Sequence, residues 1–167
     1  MNFIPYRIGF VCSGNICRSP YAEGLLRHRM ADFPWAERVE VSSAGTLGID
    51  DAPASSSTMT IAIERGVNLL SHRSQGVSEE WIARQDLVIG LDRNHIGELR
   101  DRFPDHHARI YLLGSFPEHE LVGADVPDPV GCEEEFFREV HEQIEVALAP
   151  LLHFFRQRYE PSESDED

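Results

Sequence analysis

Residues 6–30 constrain the fold most. Tyr6 to Val11 (YRIGFV) is a short apolar run with β-branched and aromatic side chains, and it reads as a buried strand. It passes without a break into Cys12 to Arg18 (CSGNICR), where Gly14 and Asn15 mark a tight loop. Ser19 and Pro20 then suit an N-cap and a first-turn proline. Tyr21, Ala22, Leu25, Leu26 and Met30 supply a helical apolar stripe. Strand, loop, helix is the opening unit of an α/β domain.

The rest of the chain repeats this alternation. Arg38 to Ser43 (RVEVSS) alternates as a second strand, and Ala44 to Ser57, rich in Gly, Ser, Asp and Pro, is a long loop. Thr58 to Arg65 reads as a helix that Gly66 stops. Asp86 to Leu91 (DLVIGL) reads as a third strand buried on both faces, Asp92 to Arg100 as a helix, and Arg109 to Leu113 (RIYLL) as a fourth strand. Gly114 to Cys132 is a loop with Pro117, Pro127 and Pro129. From Glu133, apolar residues at Phe137, Val140, Ile144, Leu148, Leu151 and Phe155 keep helical spacing, with Pro150 expected to kink or split the helix. Such alternation predicts a parallel sheet covered on both sides, with ligands bound at the carboxyl ends of the strands. The loop Cys12 to Arg18 lies there.

Composition narrows the function classes. A chain of 167 residues suits one domain, which we assign to residues 1–159, with 160–167 (EPSESDED) a solvated, disordered acidic tail. No apolar run approaches the ~20 residues of a membrane span. The N-terminus lacks the basic region of a signal peptide. Three cysteines, an odd number, do not make a disulfide framework, and reduced thiols point to the cytoplasm. A formal charge of -14 argues against nucleic-acid binding, which needs Lys and Arg against phosphates.

The loop itself carries chemistry. Successive N–H groups of Ser13, Gly14, Asn15, Ile16 and Cys17, feeding a helix N-terminus, make an anion nest. Gly14 permits a backbone conformation closed to other residues, and Asn15 tolerates the left-handed region. Arg18 closes the ring with a planar fork suited to two phosphate oxygens. Cys12 sits at the start of the loop, where helix dipole, amides and Arg18 all favour a thiolate. The same donors suit the equatorial oxygens of phosphoryl transfer. A nucleotide-binding GxxxxGK[ST] loop is excluded, because the pattern is absent and the chain has no lysine.

With these residues in view, VCSGNICRSP (Val11 to Pro20) resembles the signature of the low-molecular-weight protein tyrosine phosphatases. The resemblance spans roughly Arg7 to Tyr159. It includes SAGT (Ser43 to Thr46), SHRSQ (Ser71 to Gln75), DLVIGLDRNH (Asp86 to His95) and PDP (Pro127 to Pro129). It implies a four-stranded parallel sheet in a three-layer α/β fold, a cysteinyl-phosphate intermediate, and neither metal nor cofactor. It implies that Asp128 is the general acid and then base, with Asp125 as runner-up by proximity. It further implies that Asn15, Ser19 and His72 brace the loop and that Asp92 holds Arg18 or the loop. For Cys17 it implies a redox partner for Cys12, beside which packing under the loop stands as an equal reading. Cys132 has no assigned role. The remaining histidines, His106 and His107 among them, lack metal-ligand spacing and are expected at the surface.

The substrate that the resemblance implies is a phosphorylated protein or a small aryl phosphate. The segment after SAGT reads Leu47-Gly48-Ile49-Asp50-Asp51, and Val130-Gly131 follows Asp128-Pro129, so the pocket rim lacks the aromatics common in tyrosine-selective members. Ile16 suits the phosphotyrosine type, whereas arginine phosphatases carry Thr there. Tyrosine phosphatase therefore comes first and protein-arginine phosphatase second. Thiol-coupled arsenate reductase needs further cysteines around residues 80–90, and none is present. A phosphate-binding module without turnover is disfavoured by the presence of Cys12, Arg18 and Asp128 together.

Overall fold

A computed structural model describes residues 3–160. Strands β1 (Tyr6–Cys12), β2 (Val39–Gly45), β3 (Leu87–Gly90) and β4 (Ile110–Leu112) form one parallel sheet in the order β2-β1-β3-β4. The chain begins in the middle of the sheet, places β2 on one side of β1 and β3 on the other, and so opens a crevice at the carboxyl end of β1. The register brings Cys12 beside Gly45 and Val11 beside Gly90 at that end.

Side chains alternate across the sheet and build two cores. Ile8, Phe10, Leu87 and Ile89 pack under α1 (Arg18–Met30), α2 (Ser56–Glu64), α5 (Glu134–Ala147) and α6 (Ala149–Tyr159). Val11, Val88, Ile110 and Leu112 pack under α3 (Glu79–Arg84) and α4 (Arg93–Arg102). The stripe expected after Glu133 joins the first of these cores, with Ile144, Leu148, Leu151 and Phe155 fully buried. Each contributes roughly 1.5–3 kcal/mol of transfer free energy. The result is the expected three-layer α/β fold with a four-stranded parallel sheet.

Three local readings need correction. Ser19 does not cap α1: the cap position is Cys17, and Ser19 lies inside the first turn with its hydroxyl turned to the loop. Helix α3, six residues long, was not expected. It is too short to show a helical period, although Ser78, whose side chain accepts from Trp81 N–H, and Glu79 and Glu80 are ordinary starting signals. Asp92, read as the first residue of α4, is instead its N-cap. Pro150 splits the C-terminal helix as expected, with Leu148 at the junction and the proline in the first turn of α6. Of residues 160–167, Glu160 is described and accepts from Trp35 Nε1 (2.9 Å) and Arg156 Nε (3.2 Å). Residues 161–167 lie outside the described residues.

Candidate active site

The loop between β1 and α1 has its carbonyls tied from behind. Those of Cys12 and Ser13 accept from the amides of Thr46 (2.9 Å) and Leu47 (3.0 Å), that of Ile16 from Ser55 N (2.8 Å), and that of Cys17 from Tyr21 N (3.3 Å). The carbonyl of Asn15 accepts from His72 Nε2 at 2.7 Å, which fixes that nitrogen as the protonated one. Among the described residues the amides of Gly14, Asn15, Ile16 and Cys17 donate to no protein acceptor. A loop with its carbonyls held outward and its amides left free is an anion nest.

Asn15 is the left-handed residue of the loop (φ 56°), as its type allows. Gly14 is not: its φ is not positive, and a Cβ there would meet only ordinary contacts with Ile16 (3.6 Å) and Ile49 (3.9 Å). The expectation that Gly14 supplies the special conformation is therefore corrected to Asn15. Asn15 is fully buried, its Nδ2 donating to Ser19 Oγ (2.8 Å) and Ser43 Oγ (2.9 Å) and its Oδ1 accepting from Gln75 N (3.0 Å). Because Ser19 Oγ already accepts from Asn15, its own proton is available to Cys12 Sγ, 2.9 Å away and 2% exposed. Ser43 in turn donates to Glu23 Oε1 (2.7 Å). Ser43 and Gln75 lie in the SAGT and SHRSQ motifs but were given no role there, and Glu23 was not singled out at all.

Arg18 is 2% exposed and fixed at both ends. Its Nη1 donates to Asp92 Oδ2 (2.9 Å) and the Val126 carbonyl (2.9 Å), and its Nη2 to Ser13 Oγ (3.3 Å). Asp92, the N-cap of α4, is held below the ordinary carboxylate range: burial pushes the other way, but His95, the backbone amide and Arg18 outweigh it. Asp128 stands at the rim, half exposed, with Oδ2 3.8 Å from Arg18 Nη2 and Oδ1 accepting from Val130 N (3.0 Å). Asp125 is engaged with Arg93 instead: its Oδ1 accepts from Arg93 N (3.0 Å) and Nη1 (2.8 Å). The geometry thus separates the two aspartates that the sequence left as first choice and runner-up.

Two histidines expected at the surface are buried instead, His95 at 2% exposure and His141 at 0%. Burial pushes each imidazole down to about 4; for His95 the Arg18 charge works in the same direction against the Asp92 carboxylate. His95 Nδ1 accepts from Asp92 N (3.2 Å), so Nε2 carries the proton and donates to Ser13 Oγ (2.9 Å). Cys17 is buried and donates to Ser55 Oγ (3.3 Å). The Ser55 hydroxyl donates to Thr58 Oγ1 (2.9 Å), next to His141 Nε2 (3.1 Å). Burial pushes the Cys17 thiol up, which keeps it protonated and a poor nucleophile. Cys132 is exposed and unpaired.

A free-amide loop at a helix N-terminus, with a buried cysteine at one end and a buried arginine at the other, has the donors to receive a tetrahedral oxyanion. The sequence profile of the family described as "Low molecular weight phosphotyrosine protein phosphatase" matches residues 7–160. A low molecular weight protein-tyrosine-phosphatase of Streptomyces coelicolor is 37% identical over 159 residues, covering 93% of this chain and 96% of its own. Among solved structures, the YwlE arginine phosphatase from Geobacillus stearothermophilus superposes with a TM-score of 0.82 at 30% identity, covering 92% and 95% of the two chains. A low molecular weight protein tyrosine phosphatase from T. tengcongensis gives 0.80 at 30% identity, covering 89% and 99%. The chain belongs to the low-molecular-weight protein tyrosine phosphatase family and is a hydrolase. No described helix is long and apolar enough to cross a membrane.

Proposed function

We propose that residues 1–159 form a single phosphatase domain that hydrolyses phosphotyrosine, in a phosphorylated protein or as a small aryl phosphate, through a cysteinyl-phosphate on Cys12. The observation that carries this reading is the loop after Cys12, where the carbonyls of Cys12, Ser13, Asn15, Ile16 and Cys17 are engaged with the protein while the amides of Gly14 to Cys17 have no protein acceptor among the described residues. Ser13, Gly14, Asn15, Ile16, Cys17 and Arg18 bind the phosphate through their N–H groups, and Arg18 adds its guanidinium. Cys12 Sγ attacks phosphorus, the P–O ester bond breaks, and Asp128 gives its proton to the departing oxygen. Water then attacks the phosphocysteine, Asp128 takes up its proton, and the P–S bond breaks to return the thiolate and release inorganic phosphate. Ser19 donates to the departing sulfur, while Asn15, His72 and Asp92 hold loop and arginine in place.

The test is turnover of phosphotyrosine, phosphoserine and phosphoarginine peptides, with Cys12→Ser as control. The expected order puts phosphotyrosine first and leaves Cys12→Ser inactive; full activity in Cys12→Ser overturns the mechanism. A protein-arginine phosphatase is the second reading. It is favoured by a rim of exposed aliphatics, Leu47 (67%), Ile49 (42%) and Val130 (58%), with no ring to stack on a phenyl ester. It is opposed by Ile16. Faster turnover of the phosphoarginine peptide reassigns the substrate.

A further inference from the structure

The side chain of Ser13 is partly exposed at the mouth of the loop and has two partners among the described residues. Both donate to it. Arg18 has no acceptor, and His95 presents Nε2–H because its Nδ1 is occupied by the Asp92 amide. A serine hydroxyl has two acceptor sites and one proton. With both acceptor sites filled, from Arg18 Nη2 at 3.3 Å and His95 Nε2 at 2.9 Å, the proton has no partner in the protein. Arg18 Nη2 is also the nitrogen that lies 3.8 Å from Asp128 Oδ2, so it faces the open side of the site. An oxygen bound against that nitrogen meets the Ser13 hydroxyl beside it.

We propose that the Ser13 hydroxyl is a further donor to the bound phosphate, and that His95 is the positioning residue that orients it. This rests on the phosphate-binding reading of the loop. His95 acts through Ser13: its N–H fixes the rotor, and its ring is fixed by α4, where it completes a capping box with Asp92. The device is neutral, so it adds direction without adding charge beside Arg18. Its two halves come from sequence positions 82 residues apart.

The experiment is calorimetric titration of the full chain with inorganic phosphate, which reads binding independently of turnover. Ser13→Ala is expected to weaken phosphate binding about tenfold or more, the loss of one hydrogen bond to a charged group. Ser13→Thr, which keeps the hydroxyl, retains it. His95→Phe weakens binding by a similar factor in the native background and by less than about twofold in the Ser13→Ala background. His95→Gln, which keeps a donor and an acceptor flanking one carbon, restores it even where His95→Phe is poorly folded. The proposal is overturned if Ser13→Ala binds phosphate within about twofold of the native chain, or if the Ser13 and His95 effects add in full. A native chain that binds phosphate and leaves an aryl phosphate intact removes the phosphatase reading alone. One that binds no phosphate removes both.

Discussion

Asn15 spends every hydrogen-bonding atom of its side chain on the protein behind the loop, two donors to Ser19 and Ser43 and one acceptor to the Gln75 amide. An isosteric Asn15→Asp keeps the shape and the left-handed backbone but has no N–H to give. It leaves two buried serines without their donor and puts a carboxylate near the sulfur. The expected cost is on the order of 2–3 kcal/mol in chemical denaturation, with a fall in turnover beyond what the folded fraction explains. Unchanged stability would show that the network is slack. At the rim, the contrast between Asp128 and Asp125 is equally specific. Asp125 is tied to Arg93, whereas Asp128 holds an oxygen toward Arg18. Asp128→Asn should lower kcat by about 10²–10⁴-fold, the usual range for a proton donor and acceptor, and Asp125→Asn should change it far less. Steady-state kinetics on an aryl phosphate checks this, and the reverse order would transfer the role to Asp125.

At the scale of elements, the loop depends on how closely β2 approaches it. A Cβ on Gly45 would lie 2.5 Å from the Ser13 carbonyl oxygen and 3.0 Å from Asn15 N, both backbone atoms that cannot swing aside. Gly45→Ala should therefore destabilise the fold by about 1–3 kcal/mol and depress turnover together with it. Gly97, inside α4, is the opposite case, since a Cβ there meets nothing within 4 Å. Gly97→Ala should stabilise by roughly 0.5–1 kcal/mol through helix propensity, read as a rise in Tm. A fall in Tm would mean that α4 needs the glycine for a reason its packing does not show. The helices are held mutually by Glu145 of α5, which accepts from Tyr21 of α1 (2.6 Å) and from Arg65 at the end of α2 (2.8 Å). Burial and this bond to Glu145 push the Tyr21 hydroxyl up, keeping it a donor.

For the whole molecule, the two buried imidazoles set an acid limit. His95 and His141 are each pushed down to about 4, against 6.5 for the free side chain. Between those values the unfolded chain binds a proton that the native chain does not, so stability falls as pH drops from 6.5 toward 4. The slope is up to about 1.4 kcal/mol per pH unit for each histidine. Asp92, shifted below the ordinary carboxylate value, adds a loss in the same direction at still lower pH. Urea denaturation at intervals between pH 4.5 and 7 should show this slope, and His141→Gln should reduce it by about half; an unchanged slope would remove His141 from the account. These histidines also mark where sequence reading ends. Strand β1, the loop and α1 were legible because apolar period, Asn15 and Arg18 all act within residues 6–30. The placement of Cys12 and Arg18 at the two ends of the loop followed from that local order. Helix α3 escaped because six residues carry too little period. His95 and His141 escaped because a histidine's burial depends on what covers it, and their partners Ser13 and Thr58 lie 82 and 83 residues away. The sequence alone determined a parallel α/β sheet with a tight loop from Cys12 to Arg18 between β1 and α1. Tertiary packing alone decided which aspartate faces the arginine, which loop residue takes the left-handed turn, and which histidine holds the serine. Those outcomes depend on distances between segments that no local pattern encodes.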